Sequence, residues 1–251
     1  KNLFVFYSES YEEEKMKQDN NIKYQQILEL RYEPMPSFLD VKGTLAEQFK
    51  QQTEFKFWSI SSNRVDFKVT QDGENEKAFV SFKNCGYVVV FPPTQNYFSD
   101  KSQKFFKTLF SIENFIPKNF SRLGIKTTIA IPVEKTFEEL VHILEQHYFK
   151  DIQSLEKLYS GKLTDVGFPL NFKDGDTFFN TQLGAMKKSQ LINFFTEAQN
   201  IEKDLPEISL FFDIDIFTQK LDNTSIVLND IRNFSDKTWG IFNNIRTSIL
   251  E

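Results

Sequence analysis

Every second residue is apolar in the segment 209–217, near the end of the chain. These apolar positions are Leu210, Phe212, Ile214 and Ile216. A period of two residues is typical of a strand that buries one face and exposes the other. The segment therefore predicts a half-buried strand.

From about residue 224 to residue 250, the apolar positions recur at steps of three and four residues instead. The stripe consists of Val227, Ile231, Phe234, Thr238, Phe242, Ile245 and Ile249, with Trp239 beside it. This spacing predicts an amphipathic helix. At about 1.5 Å per residue, such a helix is long enough to cover a whole sheet face. We therefore expect a long C-terminal helix packed on the sheet that contains 209–217.

The rest of the chain predicts runs of adjacent strands separated by single helices. The predicted strands lie at 24–32, 55–60, 65–69, 78–82, 87–91 and 122–132, and the predicted helices at 39–52, 98–113 and 136–148. The third of these helices begins with the capping box Thr136-Phe137-Glu138-Glu139. Residues 151–175 indicate loops with short strands and a turn at 174–176. Residues 177–185 and 190–196 indicate a hairpin that turns at 186–189.

Runs of strands without strict β-α-β alternation favour antiparallel pairing. We therefore predict an α+β fold with antiparallel sheets in two associated halves, which meet near residues 133–150. The first half, 23–135, has a ferredoxin-like order of elements. The second half, 136–251, ends with the long helix packed on its sheet. Residues 1–22 precede both halves as a short strand and a charged linker.

Composition narrows the class of protein and of partner. Of the 251 residues, 40% are hydrophobic and 26% are charged, which is typical of a soluble globular protein. The net charge of -5 argues against nucleic acid as the main partner, because phosphate binding needs a basic face. The single cysteine, Cys85, permits no internal disulfide. No apolar run approaches the ~20 residues that span a bilayer, so we expect a cytoplasmic protein with no membrane partner.

Phenylalanine is unusually abundant, with 29 residues. A ligand cavity lined by aromatic rings would explain this abundance. An A+T-rich coding sequence explains it more simply, because Lys, Asn and Ile are plentiful as well. We prefer the second explanation.

No catalytic or cofactor motif occurs in the sequence. The two histidines, His142 and His147, are five positions apart on one predicted helix, whereas a helical metal pair needs a spacing of about three or four. Glycine-rich phosphate loops and the zinc-protease and serine-hydrolase signatures are absent. A nucleophile with its base is hard to assemble from one cysteine and two histidines on the same helix. We expect no cofactor and no metal.

Asp213 and Asp215 are the one carboxylate pair whose spacing suits chemistry. Alternation puts both on one face of the strand, about 6.5–7 Å apart by strand rise. This spacing is compatible with a Mg²⁺ site for phosphoryl transfer if a third ligand comes from elsewhere. The simpler interpretation is an exposed sheet face on which the two charges meet lysines or discourage edge pairing, and we favour it.

Arg31 and Arg122 lie inside predicted strands, where an unpaired charge is costly to bury. We hypothesise that at least one of them pairs with a carboxylate, either within the first half or across the halves. The candidate carboxylates are Glu29, Glu33, Asp66, Asp213 and Asp215. The alternative is that both arginines reach solvent at strand ends.

Four segments share a motif order with a known family. They are the opening strand Ile27-Leu28-Glu29-Leu30-Arg31-Tyr32-Glu33-Pro34, the strand Arg122-Leu123-Gly124-Ile125-Lys126, the late strand Phe212-Asp213-Ile214-Asp215-Ile216 and the helical segment Trp239-Gly240-Ile241-Phe242. In this order the chain resembles a sporadically distributed, uncharacterised prokaryotic family of about this length. Lys126 stands where that family has a second arginine, and no aromatic residue follows it. The resemblance implies an architecture and, by association, a mobile-element or defence-type setting.

These patterns together favour a binding or interaction module over an enzyme. We expect a protein partner, no catalytic residue, and Arg31, Arg122, Asp213 and Asp215 as candidate binding residues. Two alternatives stay open. One is a divalent-metal-dependent phosphoryl-transfer enzyme that uses Asp213 and Asp215, and the other is a binder of an apolar small molecule in a cavity between sheet and helix.

Overall fold

The computed structural model describes residues 21–72, 75–197, 200–219, 221 and 223–250. The strand and linker predicted within 1–22 lie almost entirely outside the described residues. The strands are β1 (Lys23–Arg31), β2 (Phe57–Ile60), β3 (Arg64–Lys68), β4 (Glu76–Ser81), β5 (Asn84–Val90), β6 (Arg122–Pro132), β7 (Gly167–Asp174), β8 (Thr177–Lys187) and β9 (Ile208–Thr218). The helices are α1 (Phe38–Gln52), α2 (Tyr97–Phe110), α3 (Phe137–Tyr148), α4 (Ile152–Tyr159), α5 (Lys188–Leu191) and α6 (Thr224–Leu250), with a short 3-10 turn at Ile201–Lys203.

The strands of the described residues form one antiparallel sheet in the order β2-β3-β4-β5-β1-β6-β9-β8-β7. The α+β class and the antiparallel pairing are thus confirmed. The two predicted halves share this sheet and join where β6 pairs with β9, with Ile125 opposite Ile216. Strand β6 follows α2 and pairs with β1 on the side away from β5. This connectivity is ferredoxin-like with two additional strands between α1 and α2.

Helices α1, α2, α3 and α6 cover one face of the sheet and enclose the main core. The longest of them, α6, contacts β6 and β9 as well as α2 and α3. Its predicted stripe is buried except for Ile245, which is half-buried, and Val227, Ile231 and Phe242 are fully enclosed. The long helix therefore packs on strands from both halves. No helix of the described residues is long and apolar enough to cross a membrane.

Within the part of the chain that the structure describes, the opposite face of the sheet is covered at one end only. There residues 188–197 and 200–205 pack Leu191, Phe195 and Leu205 against Val90 and Phe211 in a second, smaller core. The rest of this face carries polar and charged side chains from the central strands. The two faces of the sheet thus differ, one dry and one partly solvated.

Residues 151–175 are more regular than the sequence predicts. Where we expected loops with short strands, helix α4 and the eight-residue edge strand β7 are present. Pro169 lies within β7, which is tolerated because an edge strand does not need every N–H group for pairing. The turn predicted at 174–176 joins β7 to β8, and Gly175 adopts there a φ of 58°, which glycine tolerates without strain.

The predicted hairpin of 177–185 and 190–196 is wrong. Strand β8 extends into the predicted turn as far as Lys187, and its hairpin partner is β7. The run 190–196 forms no strand, because Leu191 and Phe195 fill the small core on the partly covered face instead of pairing in the sheet.

Candidate functional site

An apolar cleft opens between helix α6 and the edge of the sheet that β7, β8 and β9 form. Its volume is about 320 Å³. It is lined by Tyr148, Leu170, Phe172, Phe179, Thr181, Gln182, Leu183, Phe212, Ile214, Ile241 and Ile245. None of these residues is charged, so the cleft is a hydrophobic site.

The cleft exists because the helical layer stops short of the edge of the sheet. Helix α6 lies over β6 and β9, and α3 lies against β8. The side chains of the edge strand β7 are therefore exposed, with 39% of Leu170 and 58% of Phe172 accessible to solvent. Helix α4 precedes β7 in the chain but has no buried residue, so it does not close the edge.

The floor of the cleft is a cross-strand row of the sheet. Leu170 lies opposite Thr181, and Thr181 lies opposite Ile214. The Thr181 hydroxyl donates a hydrogen bond of 3.1 Å to the carbonyl oxygen of Leu170. Because that hydroxyl is already bonded to the backbone, the floor offers a ligand mainly methyl and methylene groups.

Helix α3 brings Tyr148 to the mouth of the cleft. The helix begins at the predicted capping box, in which Thr136 Oγ1 accepts from the backbone N–H of Glu139 at 3.2 Å and Glu139 Oε2 accepts from that of Thr136 at 2.8 Å. It ends at Tyr148, whose ring packs against Phe168 with 4.5 Å between centroids. The sequence predicts that Tyr148 belongs to the buried face of α3, but 37% of it is exposed because the cleft opens beside it. Partial burial raises the pKa of its hydroxyl above the ordinary value, so the hydroxyl remains a hydrogen-bond donor at neutral pH.

Polar groups around the rim of the cleft have partners of their own. Lys237 Nζ lies 5.7 Å from the ring centroid of Phe179 and 3.4 Å from Asp174 Oδ2. Nearer the C-terminus of α6, Ser248 Oγ lies 3.1 Å from His147 Nε2. The positive charge of Lys237 is therefore balanced outside the lining of the cleft.

The four predicted site residues lie on the other face of the sheet, away from the cleft. Arg122 reaches across from β6 to β9, where its Nη2 atom donates to both carboxylate oxygens of Asp215 at 2.9 and 2.8 Å. The guanidinium lies over Gly124, where a Cβ atom would be only 2.7 Å away, and 4.5 Å from the ring centroid of Phe217. Burial raises the pKa of Asp215, although the charge of Arg122 acts in the opposite direction. This pair joins the two predicted halves.

Asp213 was the other candidate partner of Arg122 on β9, but it pairs with different residues. Its Oδ2 atom lies 3.0 Å from Lys126 Nζ, and its Oδ1 atom accepts a hydrogen bond of 2.8 Å from the Thr128 hydroxyl. All three side chains belong to neighbouring positions of β6 and β9. Asp213 and Asp215 thus share one face, as alternation predicts, and each meets a different cation.

Arg31 pairs locally, on β1. Its Nη2 atom lies 2.7 Å from Glu29 Oε2, while Asn84 Nδ2 donates to Glu29 Oε1 at 2.7 Å. Burial tends to raise the pKa of Glu29, but the hydrogen bonds from Arg31 and Asn84 outweigh it, and the pKa is lowered. Arg122 Nη1 is 3.8 Å from the same carboxylate, so a chain of charges runs from Arg31 to Asp215.

Within the described residues, no group of three or more His, Cys, Asp or Glu side chains is placed to hold a metal ion. His142 instead faces Glu145, one turn along α3, at 3.2 Å. On the charged face, Arg31, Arg122 and Lys126 are each paired with a carboxylate.

Sequence reasoning missed most of the cleft because it missed β7. The signal was present: Phe168, Leu170 and Phe172 alternate with polar or small residues in the manner of a strand. On α6, the sequence stripe included Ile245 but left out Ile241, which lies one helical turn before it. These positions, and not the four charged residues, surround the concave apolar site.

We compared the chain with protein-family models, with curated proteins and with solved structures, and none of them matches it.

Proposed function

We propose that this protein is a non-catalytic binding module whose ligand is an apolar small molecule held in the cleft between α6 and β7–β9. The observation that carries the proposal is a concave site of about 320 Å³ with no charged residue in its lining. Small-molecule sites are typically clefts of about 300–1,000 Å³ with mostly apolar and aromatic walls. The cleft falls at the small end of that range.

Exposed apolar surface supplies the driving force for binding. Leu170 and Phe172 are 39% and 58% accessible at the edge of the cleft. A ligand that covers them removes apolar surface from water, which is worth about 25 cal/mol per Å². Because the walls belong to strands and to a long helix, little of this gain is lost in ordering the site.

The volume of the cleft bounds the size of the ligand. One water molecule occupies about 30 Å³ in the liquid, and a methylene group is of similar size. The cleft of about 320 Å³ is therefore suited to a molecule of roughly ten to twelve non-hydrogen atoms.

The metal-dependent alternative has less support. Arg122 engages both carboxylate oxygens of Asp215, and Lys126 and Thr128 engage those of Asp213. A divalent cation that used both carboxylates would have to displace these partners. The protein partner expected from the sequence stays a prediction.

The test is a titration with naphthalene, an uncharged hydrocarbon of suitable size. NMR spectroscopy monitors the methyl signals of the isoleucines during the titration. We expect saturable shifts at Ile241 and Ile245. In the variant Ile241→Phe, the larger side chain fills the cleft and weakens binding by roughly tenfold or more, since a packed site tolerates extra volume poorly.

The matched control is Ile226→Phe, which makes the same change on the same helix at a position that is 37% exposed and outside the cleft. Its affinity should stay within about twofold, as expected for a surface change. Naphthalene shifts that do not saturate, or equal losses in both variants, would refute the proposal.

A further inference from the structure

The lining of the cleft offers no opposite charge to a charged ligand. Its lining residues are uncharged, and the nearby Lys237 is already paired with Asp174 at 3.4 Å. A carboxylate or an ammonium group inside the cleft would lose its water without gaining an opposite charge. Burial of an unpaired charge is among the costliest events in protein chemistry, so the lining favours a neutral ligand.

Tyr148 supplies a hydrogen-bonding group at the mouth of the cleft. Its hydroxyl makes no hydrogen bond with the described residues, and the ring is held by Phe168 at 4.5 Å. The other polar lining residues are not equivalent to it. Thr181 already donates to a backbone carbonyl, and Gln182 lies opposite Asp213 in the sheet, so its side chain belongs to the charged face.

We propose that the cleft binds a neutral amphiphile, an uncharged chain or ring system with one hydroxyl or carbonyl group that the Tyr148 hydroxyl anchors at the mouth. This inference rests on the proposed function, because it names the class of ligand for the same cleft. The apolar part of the ligand lies over Leu170 and Ile214, beneath Ile241 and Ile245, and the polar group stays next to solvent. Such an arrangement buries no unsatisfied polar atom.

Four ligands of similar size test the inference by calorimetry at pH 7: 1-decanol, decanoate, decylammonium and naphthalene. We expect decanol to bind roughly tenfold or more tightly than either ion, because only the ions bring a charge to the cleft. The variant Tyr148→Phe removes the hydroxyl and keeps the ring. It should weaken decanol binding by about three- to tenfold, the worth of one hydrogen bond, and leave naphthalene binding within about twofold.

The matched control is Tyr159→Phe on α4, where the tyrosine is 77% exposed and outside the cleft; it should leave every affinity unchanged. If decanoate or decylammonium binds as tightly as decanol, the preference for neutral ligands is wrong while the proposed function stands. If Tyr148→Phe behaves like the control, the anchoring role of Tyr148 is wrong. If neither naphthalene nor decanol binds, the proposed function itself fails.

Discussion

The two ends of the helical face differ in how the sheet is covered. At the end formed by β2–β5, five rings make one packed cluster, with neighbouring centroids 4.7 to 6.3 Å apart. They belong to Phe49, Phe55, Phe67, Tyr87 and Phe105. At the end formed by β7–β9, a cleft of about 320 Å³ remains. Phenylalanines occur at both ends, so the residue type alone does not decide whether the sheet is closed or open.

The covering helices account for the difference. Helix α1 has 15 residues, buries five side chains and contacts both β2 and β3. Helix α4 precedes the other edge strand but has only 8 residues and buries none of them. The space above the sheet is therefore filled where a long amphipathic helix lies over it and leaves a cleft where the helix is too short, although the residues of the edge strand β2 are themselves exposed. Most phenylalanines of the first end are packed in the ring cluster, with Phe57 exposed on β2, whereas at the second end Phe172 is exposed beside the cleft.

The largest expected effect is a loss of stability at the packed end that the end with the cleft should not show. Phe105→Ala removes a ring that is 2% exposed and contacts several other rings. It should lower the free energy of unfolding by about 4–5 kcal/mol, because a cavity is left in a tightly packed site. Urea unfolding monitored by circular dichroism measures the loss.

The same change at the open end is the control. Phe172→Ala removes a ring that is 58% exposed at the cleft and should cost at most about 1 kcal/mol, as surface changes do. Equal losses for Phe105→Ala and Phe172→Ala would mean that the two ends are packed alike, and the comparison would fail.

A second, smaller loss is expected on the helix between the two ends. Phe242 is fully buried, and its ring lies 5.5 Å from that of Phe212 and 5.4 Å from that of Trp239. Phe242→Ala should cost about 3–4 kcal/mol. We expect less than for Phe105→Ala, because Phe212 also lines the cleft and the new space has room to relax. An unfolding curve that does not respond to Phe242→Ala would show that α6 is not packed as described.

Sequence patterns predicted the helices and strands whose apolar spacing can be interpreted from a single element. The stripe from Val227 to Ile249 repeats at the helical period, and 209–217 alternates, so α6 and β9 could be derived with nearly correct bounds. The run around Leu191 and Phe195 misled us, because an apolar run that covers a sheet looks the same in sequence as one that pairs within it. The tertiary packing decides between the two.

The cleft could not be predicted in this way. It arises where covering side chains are missing, and the position of α6 over β6 and β9 determines its place. The ion pairs were predictable in part. A strand arginine needs a carboxylate, but only the register shows that Arg122 meets Asp215 and that Lys126 meets Asp213.

The third prediction concerns the seam of the sheet, by which we mean the pairing of β6 with β9. It asks whether side-chain contacts across this seam couple the two ends of the sheet. Arg122 and Asp215 link β6 to β9, and their side chains are 19% and 25% exposed. A double-mutant cycle with Arg122→Ala and Asp215→Ala should give a coupling free energy of about 1–2 kcal/mol, because the hydrogen bonds are charged and partly buried.

An exposed ion pair provides the comparison for this cycle. Arg232 and Asp100 lie 2.5 Å apart, but their side chains are 52% and 59% exposed. Their coupling should not exceed about 0.5 kcal/mol, since solvent screens such pairs. If the two cycles give equal coupling, the seam contributes nothing beyond a surface contact, and the two ends would have to be treated as joined by backbone pairing alone.

The smallest expected effect is a pH-dependent change in stability. It concerns Glu29, the carboxylate that pairs with Arg31 in the same chain of charges. The pKa of Glu29 is lowered below its ordinary value of 4.5, since the hydrogen bonds from Arg31 and Asn84 outweigh the effect of burial. A carboxylate whose pKa is lowered on folding contributes stability above its unfolded pKa and loses it as the pH falls through the folded pKa. Glu29→Gln should therefore lower the free energy of unfolding by about 0.5–1 kcal/mol at pH 7 and have little effect near pH 2–3.

Glu113→Gln, at an exposed position after α2, is the control and should cost nothing measurable at either pH. A loss in Glu29→Gln that stays constant from pH 7 to pH 3 would assign it to packing at the seam and not to charge.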